Sequence, residues 1–439
     1  MKNLNNKKIL NITTIIILIG VPFLKFFSMN LQMFNVMNKY DNINPAIILY
    51  VSVPILLFIY IKDMVVKKRK LDIYDYIFFA LLLSSIISCI FSINKNLAIF
   101  GKEYRHEGFL SVLSYYLIFI NYKVNGTKED IKKYISLIII IAIINAIYAL
   151  LQIYTDFKFI LRYTDDASMA SGMCGNPNFF GSLIVTAISF VIFEILSNKN
   201  MDIKTIPIIV LLYVALINCQ STGPFLTLIL IILFLVVLLN KKRTLVKENF
   251  WILIIILITT YSYMYLVNYL KVKTLNNGSE MRCEMCLKDL KKTLDTGGNG
   301  RLEIWQNTLP IIGNNFITGV GFDNFSLAYP SPKVDSGIRL TLTDILINRK
   351  KEVTYYSIVD NAHNVYLHTL ASTGILGLIP YLLLCLLTFI KGLKSKDRLV
   401  LALLSGFVAY SIQAFANISV VQVAPIYYLL IGLILSQKQ

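Results

Sequence analysis

The chain alternates long apolar runs with short polar breaks. A bilayer-spanning helix needs roughly 20 mostly apolar residues, and runs of that kind recur throughout. They predict about twelve spans, near residues 9–28, 44–62, 73–92, 107–121, 134–154, 178–196, 204–219, 223–240, 250–270, 365–390, 398–416 and 420–436. The fourth and seventh are short. The first follows Lys7 and Lys8 as a signal peptide would, yet no small-residue cleavage site comes after it, so it reads as a retained helix. One connection breaks the rhythm: residues 271–363 form a polar insert far longer than an ordinary loop. Its 280–295 stretch mixes charges with Met, Cys and Leu at helical spacing. Gly297-Gly298-Asn299-Gly300 then punctuates the chain, and Leu302, Trp305 and Leu309 resume helical spacing after Arg301. Such content predicts a folded, functional loop. The fold class is therefore an all-α polytopic membrane protein, with no internal repeat and no separate soluble domain.

Composition strengthens this reading. Of 439 residues, 56% are hydrophobic and 15% charged, against about 25% charged in soluble domains. The net charge of +17 comes from 42 Lys and Arg against 25 Asp and Glu. A basic balance can signal nucleic acid. Here the charges sit between apolar runs, as the positive-inside rule requires, and no nucleic-acid motif stands out. Lys67-Lys68-Arg69-Lys70, Lys128 with Lys132-Lys133, Lys241-Lys242-Arg243, and Lys391, Lys394, Lys396 and Arg398 fall on one side. That side is cytoplasmic if the N-terminus is; an even count of spans returns the C-terminus there and leaves the 271–363 insert extracytoplasmic.

Cysteine usage changes little. Cys89 and Cys385 lie within apolar runs and read as packing residues. Cys283 and Cys286 form a C-x-x-C in the insert, without the second pair or nearby His of a zinc site. They fit either a local disulfide or two residues on one helical face.

Candidate chemistry gathers at the breaks on the insert's side. Asp360-Asn361-Ala362-His363-Asn364 stands where the insert re-enters the membrane, before Gly374-Ile375-Leu376-Gly377. Histidine moves protons near neutral pH; an interfacial His at a helix end is the plainer alternative. Gly374 and Gly377 allow a neighbouring backbone to approach. A second cluster joins Gly300-Arg301-Leu302-Glu303-Ile304-Trp305 to Gly319-Val320-Gly321-Phe322-Asp323-Asn324-Phe325. Arginine keeps its charge and grips phosphate with a planar fork. The third runs from Phe100-Gly101-Lys102 through Arg105-His106-Glu107-Gly108. The fourth is Gly175-Asn176-Pro177-Asn178, where Asn176 and Asn178 offer amide donors or simply start a helix. Guanidiniums, amides and a His beside lipid suit a substrate with an anionic head and an apolar tail.

The order of these motifs resembles the O-antigen ligase and O-antigen polymerase superfamily of membrane glycosyltransferases. The matching stretches are F-G-x-x-x-R-x-E-G with Arg105, G-N-P-N with Asn176 and Asn178, G-R-x-x-x-W with Arg301 and Trp305, G-V-G-F-x-x-F, and H-N-x9-G-x-x-G with His363, Asn364, Gly374 and Gly377. The last is the most specific. The resemblance spans about residues 100–390. It divides the chain into N-terminal membrane helices at 1–100 and a ligase- or polymerase-like domain at 101–439, with its core at about 178–380 and the large loop at 271–363. It implies a GT-C-like architecture in the cell membrane. It also implies metal-independent, cofactor-free transfer of a glycan from a polyprenyl-diphosphate carrier to a glycan, lipid or protein acceptor at the outer face. His363 and Arg301 would be catalytic; Arg105, Asn176, Asn178, Asn364, Arg162 and Trp305 would bind substrate; Gly374 and Gly377 would be structural.

One position departs from the family. Members often carry an Arg in an S-R-G-type motif at the outer start of a central helix, whereas this chain reads Ser221-Thr222-Gly223-Pro224. Either another cation, Arg162 or Lys102, replaces it, or activity is altered or lost. Two other readings remain: a transporter or flippase for lipid-linked glycans, and a non-catalytic subunit of a glycan-assembly complex. The spans contain little charge beyond Lys25 and Glu194, whereas transporters place ionisable groups deep within theirs.

Overall fold

Several helices in this chain begin where the sequence supplies a side-chain acceptor for the first free backbone amides. The structure, a computed structural model, describes residues 2–33, 44–103, 105–154, 169–200, 202–255, 258, 262, 300–330 and 359–437. The 280–295 stretch, Cys283 and Cys286, Arg162 and most of the expected span at 250–270 lie outside them. The helices are α1 (Lys2–Met33), α2 (Ile47–Lys67), α3 (Ile73–Ile90), α4 (Lys95–Phe100), α5 (Phe109–Asn125), α6 (Lys128–Tyr154), α7 (Pro177–Ser197), α8 (Thr205–Asn218), α9 (Thr222–Lys242), α10 (Arg301–Asn314), α11 (Phe325–Ala328), α12 (Val365–Lys394), α13 (Arg398–Ala414) and α14 (Ala424–Ser436). Residues 250–255 are also helical, and no strand occurs among the described residues.

Seven helices are long and apolar enough to cross a membrane: α2, α3, α6, α7, α9, α12 and the Asn6–Phe27 part of α1. The shorter α8, α13 and α14 are equally apolar. The chain is thus a multi-pass membrane protein. Its caps are local and readable. Asp72 closes a capping box at the start of α3. Asn176 caps α7 ahead of Pro177 at the first helical position. Asn364 and Asp397 cap α12 and α13.

At the centre stands α7, whose apolar window is 89% buried against 33–44% for the other long spans. It packs on α6, α8, α9 and α13, while α5 is held between α2, α3 and α14. Hydroxyls and amides add cohesion across these helices: Ser52 meets Ser114 at 2.8 Å, and Asn121 donates to the Leu56 carbonyl at 3.0 Å. Lipid offers no hydrophobic drive between helices, so such bonds and close packing hold the bundle, at about 0.6 kcal/mol per bond.

The two ends of the bundle differ. At one end Lys7 pairs with Asp130, Lys67 with Asp63, Arg69 with Asp75, Lys123 with Asp72, Lys128 with Asp397 and Arg398 with Glu194. The four candidate motif clusters meet at the other. Near that end α12 is interrupted at Gly374 (φ 65, ψ −170). Carbonyls just before the break are freed, and the 316–321 segment uses them. Val320 N–H donates to Ala371 O and Gly321 N–H to Ser372 O, both at 2.9 Å, while Ile375 N–H donates back to Phe316 O at 2.8 Å. Irregular backbone near lipid is stable only when protein satisfies it, and here it does.

Candidate functional site

The site assembles around residues 359–364, which lead into α12. Arg105 reaches them from the loop before α5, donating to Asp360 Oδ2 through Nε at 2.8 Å and Nη2 at 2.7 Å. Beneath it lies the Phe179 ring of α7, 5.5 Å from the guanidinium carbon. Trp305 of α10 donates through Nε1 to the Ala362 carbonyl at 2.9 Å, and its ring meets Phe415 edge-on. Arg301 lies four residues earlier on the same helical face, and its charge is felt at His363.

His363 sits in a left-handed backbone conformation (φ 51), with its amide donating to Asn361 Oδ1 at 3.1 Å. Burial lowers its pKa below the usual imidazole range, and the positive charge of Arg301 lowers it further. At neutral pH its ring is therefore neutral and can accept a proton. Arg301 is half-buried, and burial pushes its own pKa down. Among the described residues no carboxylate pairs with it. The two arginines differ accordingly: Asp360 compensates Arg105, while Arg301 has no carboxylate partner among the described residues.

The G-V-G-F-D-N-F stretch is a latch under this site. A methyl on Gly319 would lie 2.3 Å from the Ser372 backbone, so only glycine fits there. Asn324 accepts from Asn94 N–H at 2.7 Å and donates to its carbonyl at 3.2 Å. Asp323 Oδ2 accepts from the Lys102 and Glu107 amides at 2.7 and 3.1 Å, closing the loop that carries Arg105. Lys102 turns its amine to Ser326 Oγ at 3.2 Å.

Other expected residues take capping positions. Asn176 Oδ1 accepts from Asn178 N–H at 2.9 Å, and Asn364 Oδ1 from Leu367 N–H at 2.9 Å. Asn178 Oδ1 accepts from the Ser221 hydroxyl at 2.5 Å. Gly374 is met by the Ile317 backbone, whereas Gly377 faces the Thr373 side chain.

Sequence reasoning placed Glu107 and Asp323 in the motif clusters and Lys25 within a span, but gave none of the three a role. Burial pushes Glu107 up to about 7, and Tyr115 donates to its Oε1 at 2.9 Å. Asp323 is pushed up to about 6 by burial. Lys25 of α1 reaches this end: after burial, its charge is the next cause that lowers His106, to about 4. Only the polarity of Lys25 within an apolar run marked it in the sequence.

Below Phe415 an apolar groove of about 590 Å³ runs between α9, α12 and α13, lined by Gly223, Leu226, Leu230, Leu382, Leu386 and Phe389 among others. The chain is thus a multi-pass helical bundle with arginines and a neutral His at one end, above an apolar groove. Residues 207–382, from α8 into α12, match the family model described as O-antigen ligase. The match supports a glycan-transfer role in polysaccharide biosynthesis at a membrane. The search of curated proteins returns no match.

Proposed function

We propose that the protein transfers a glycan from a polyprenyl-diphosphate carrier to an acceptor hydroxyl at the extracytoplasmic face of the cell membrane. The observation that carries this reading is Arg301: a half-buried guanidinium without a carboxylate among the described residues, whose charge acts on an imidazole that burial keeps neutral. In the reaction the acceptor oxygen bonds to the anomeric carbon as the bond from that carbon to the diphosphate breaks. His363 takes the acceptor proton, and Arg301 holds the departing diphosphate. Arg105 keeps Nη1 available while Asp360 fixes its fork. Diphosphate leaves readily, so charge stabilisation matters more than an acid. The carrier's tail lies in the groove beside α9, α12 and α13, which fixes the head near both groups and lowers the entropic barrier.

The test uses membranes from a strain lacking the gene, restored with His363→Ala. Glycan transfer to the acceptor is expected to fall by 10²-fold or more, the scale of general-base catalysis. Transfer at the wild-type rate would overturn the reading. Movement of labelled carrier across proteoliposomes without chemical change would favour the transporter alternative.

A further inference from the structure

Thr222 puts a neutral residue where the family resemblance leads to an Arg, at the first position of α9. No side chain caps this helix start. Ser221, the residue placed to do so, donates its hydroxyl to Asn178 instead. Pro224 has no N–H to satisfy, so the amides of Thr222 and Gly223 are the free donors of the first turn. Together with the helix dipole they favour an anion.

A second, independent feature points to the same spot. Gln413 of α13 is 2% exposed, and its Nε2 has no partner among the described residues. Thr227 donates to its Oε1 at 2.8 Å, which turns Nε2 toward Gly223. A methyl on Gly223 would stand 3.4 Å from that nitrogen. A buried amide donor left unpaired is costly and calls for a ligand. Gly223 and Thr227 also line the mouth of the apolar groove, as do Tyr366 and Phe415. An anion held at this helix start would therefore have an apolar chain continuing directly below it.

Resting on the transferase reading, we infer that the first turn of α9 and the Gln413 amide form a charge-neutral clamp for the diphosphate of the lipid carrier. The clamp stands in for the missing guanidinium: backbone amides, the Thr222 hydroxyl and the Gln413 amide supply donors without net charge. Thr227 is a positioning residue that orients Gln413.

The experiment is a binding measurement on the full chain in nanodiscs, with polyprenyl diphosphate as probe and the polyprenol and inorganic pyrophosphate as controls. The wild type is expected to prefer the lipid diphosphate over both. Gln413→Ala should weaken it about tenfold, the scale of one hydrogen bond to a charged group. Gln413→Glu, nearly isosteric, should weaken it further by like charge. Thr222→Arg should tighten binding and steepen its salt dependence. That gain needs no core side chain removed, so it remains readable if the Gln413 variants misfold. Unchanged affinity in Gln413→Glu, or no gain in Thr222→Arg, overturns the clamp. Inorganic pyrophosphate binding as tightly as the lipid overturns the link to the groove. Binding is read without turnover, which separates the two readings. Clamp-dependent binding by a protein that transfers nothing sinks the transferase alone. Normal transfer with a binding pattern indifferent to Gln413 and Thr222 sinks the clamp alone.

Discussion

Arg105 and Arg301 show how one residue type takes two electrostatic states within one site. Asp360 compensates the first, and its fork is spent largely on holding two loops together. The second has no carboxylate partner among the described residues, and its charge depresses the pKa of His363. That depression has a definite sign. A base must be neutral to act, so transfer should hold level through neutrality and fall only as pH drops through the lowered His363 value. Arg301→Gln removes one cause of the lowering and should move the acid limb of the pH–rate profile upward. The same change should cut the rate by roughly 10²-fold through lost diphosphate stabilisation. An acid limb that stays in place would separate Arg301 from His363. Asp323 offers a stability test. Its folded-state pKa of about 6 lies above the ordinary 3.8, so between those values the folded state binds more protons than the unfolded state. Stability therefore falls as pH rises through this window. Asp323→Asn keeps an oxygen for the Lys102 and Glu107 amides and should abolish that step. The step that follows Glu107, up to about 7, should remain. Thermal unfolding in detergent between about pH 4 and 8 measures both.

Among the elements, α12 and the segment against it show what the sequence reveals and what it hides. Caps and apolar runs are local properties, so Asn176 before α7 and Asn364 before α12 could be read directly as helix starts. The glycines of the last motif were legible as places of close approach. What approaches them was not, because residues 316–321 lie far from 371–375 in the chain and only the fold pairs them. Glu107, Asp323 and Lys25 escaped for the same reason: a side chain's charge state depends on what faces it, and that is set by helices distant in sequence. The broken helix gives a graded expectation. A methyl on Gly374 would lie 2.1 Å from the Ile317 carbonyl oxygen at a φ of 65, so neither backbone nor neighbour can yield. Gly374→Ala should cost about 2 kcal/mol or more and lower the unfolding midpoint by several degrees. In Gly377→Ala the methyl meets the Thr373 side chain rather than backbone, and no left-handed φ is required there, so the loss should be smaller. Equal losses in the two variants would show that the break at Gly374 does not depend on glycine.

For the whole molecule the central question is which end faces outward. The positively charged breaks predicted to share one side do meet at one end, where Lys7, Lys67, Arg69, Lys123, Lys128 and Arg398 are paired with acids. Lys242 and Lys391 join them through backbone carbonyls at Ser395 and Leu435. Cations resist translocation, so this end should be cytoplasmic and the end bearing His363 and Arg301 extracytoplasmic. The proposed chemistry requires that arrangement, since a glycan assembled on its carrier and flipped outward meets its acceptor outside. Asn96 at the candidate-site end and Lys396 at the basic end are both exposed, so each can be replaced by cysteine without disturbing the core. In a variant otherwise free of cysteine, a membrane-impermeant maleimide added to intact cells should label Asn96→Cys. It should label Lys396→Cys only after the membrane is opened. The reverse pattern would place the arginines and the imidazole in the cytoplasm. The proton acceptor and diphosphate cradle would then serve a cytoplasmic step, and transfer to the cell surface would no longer be open to this protein.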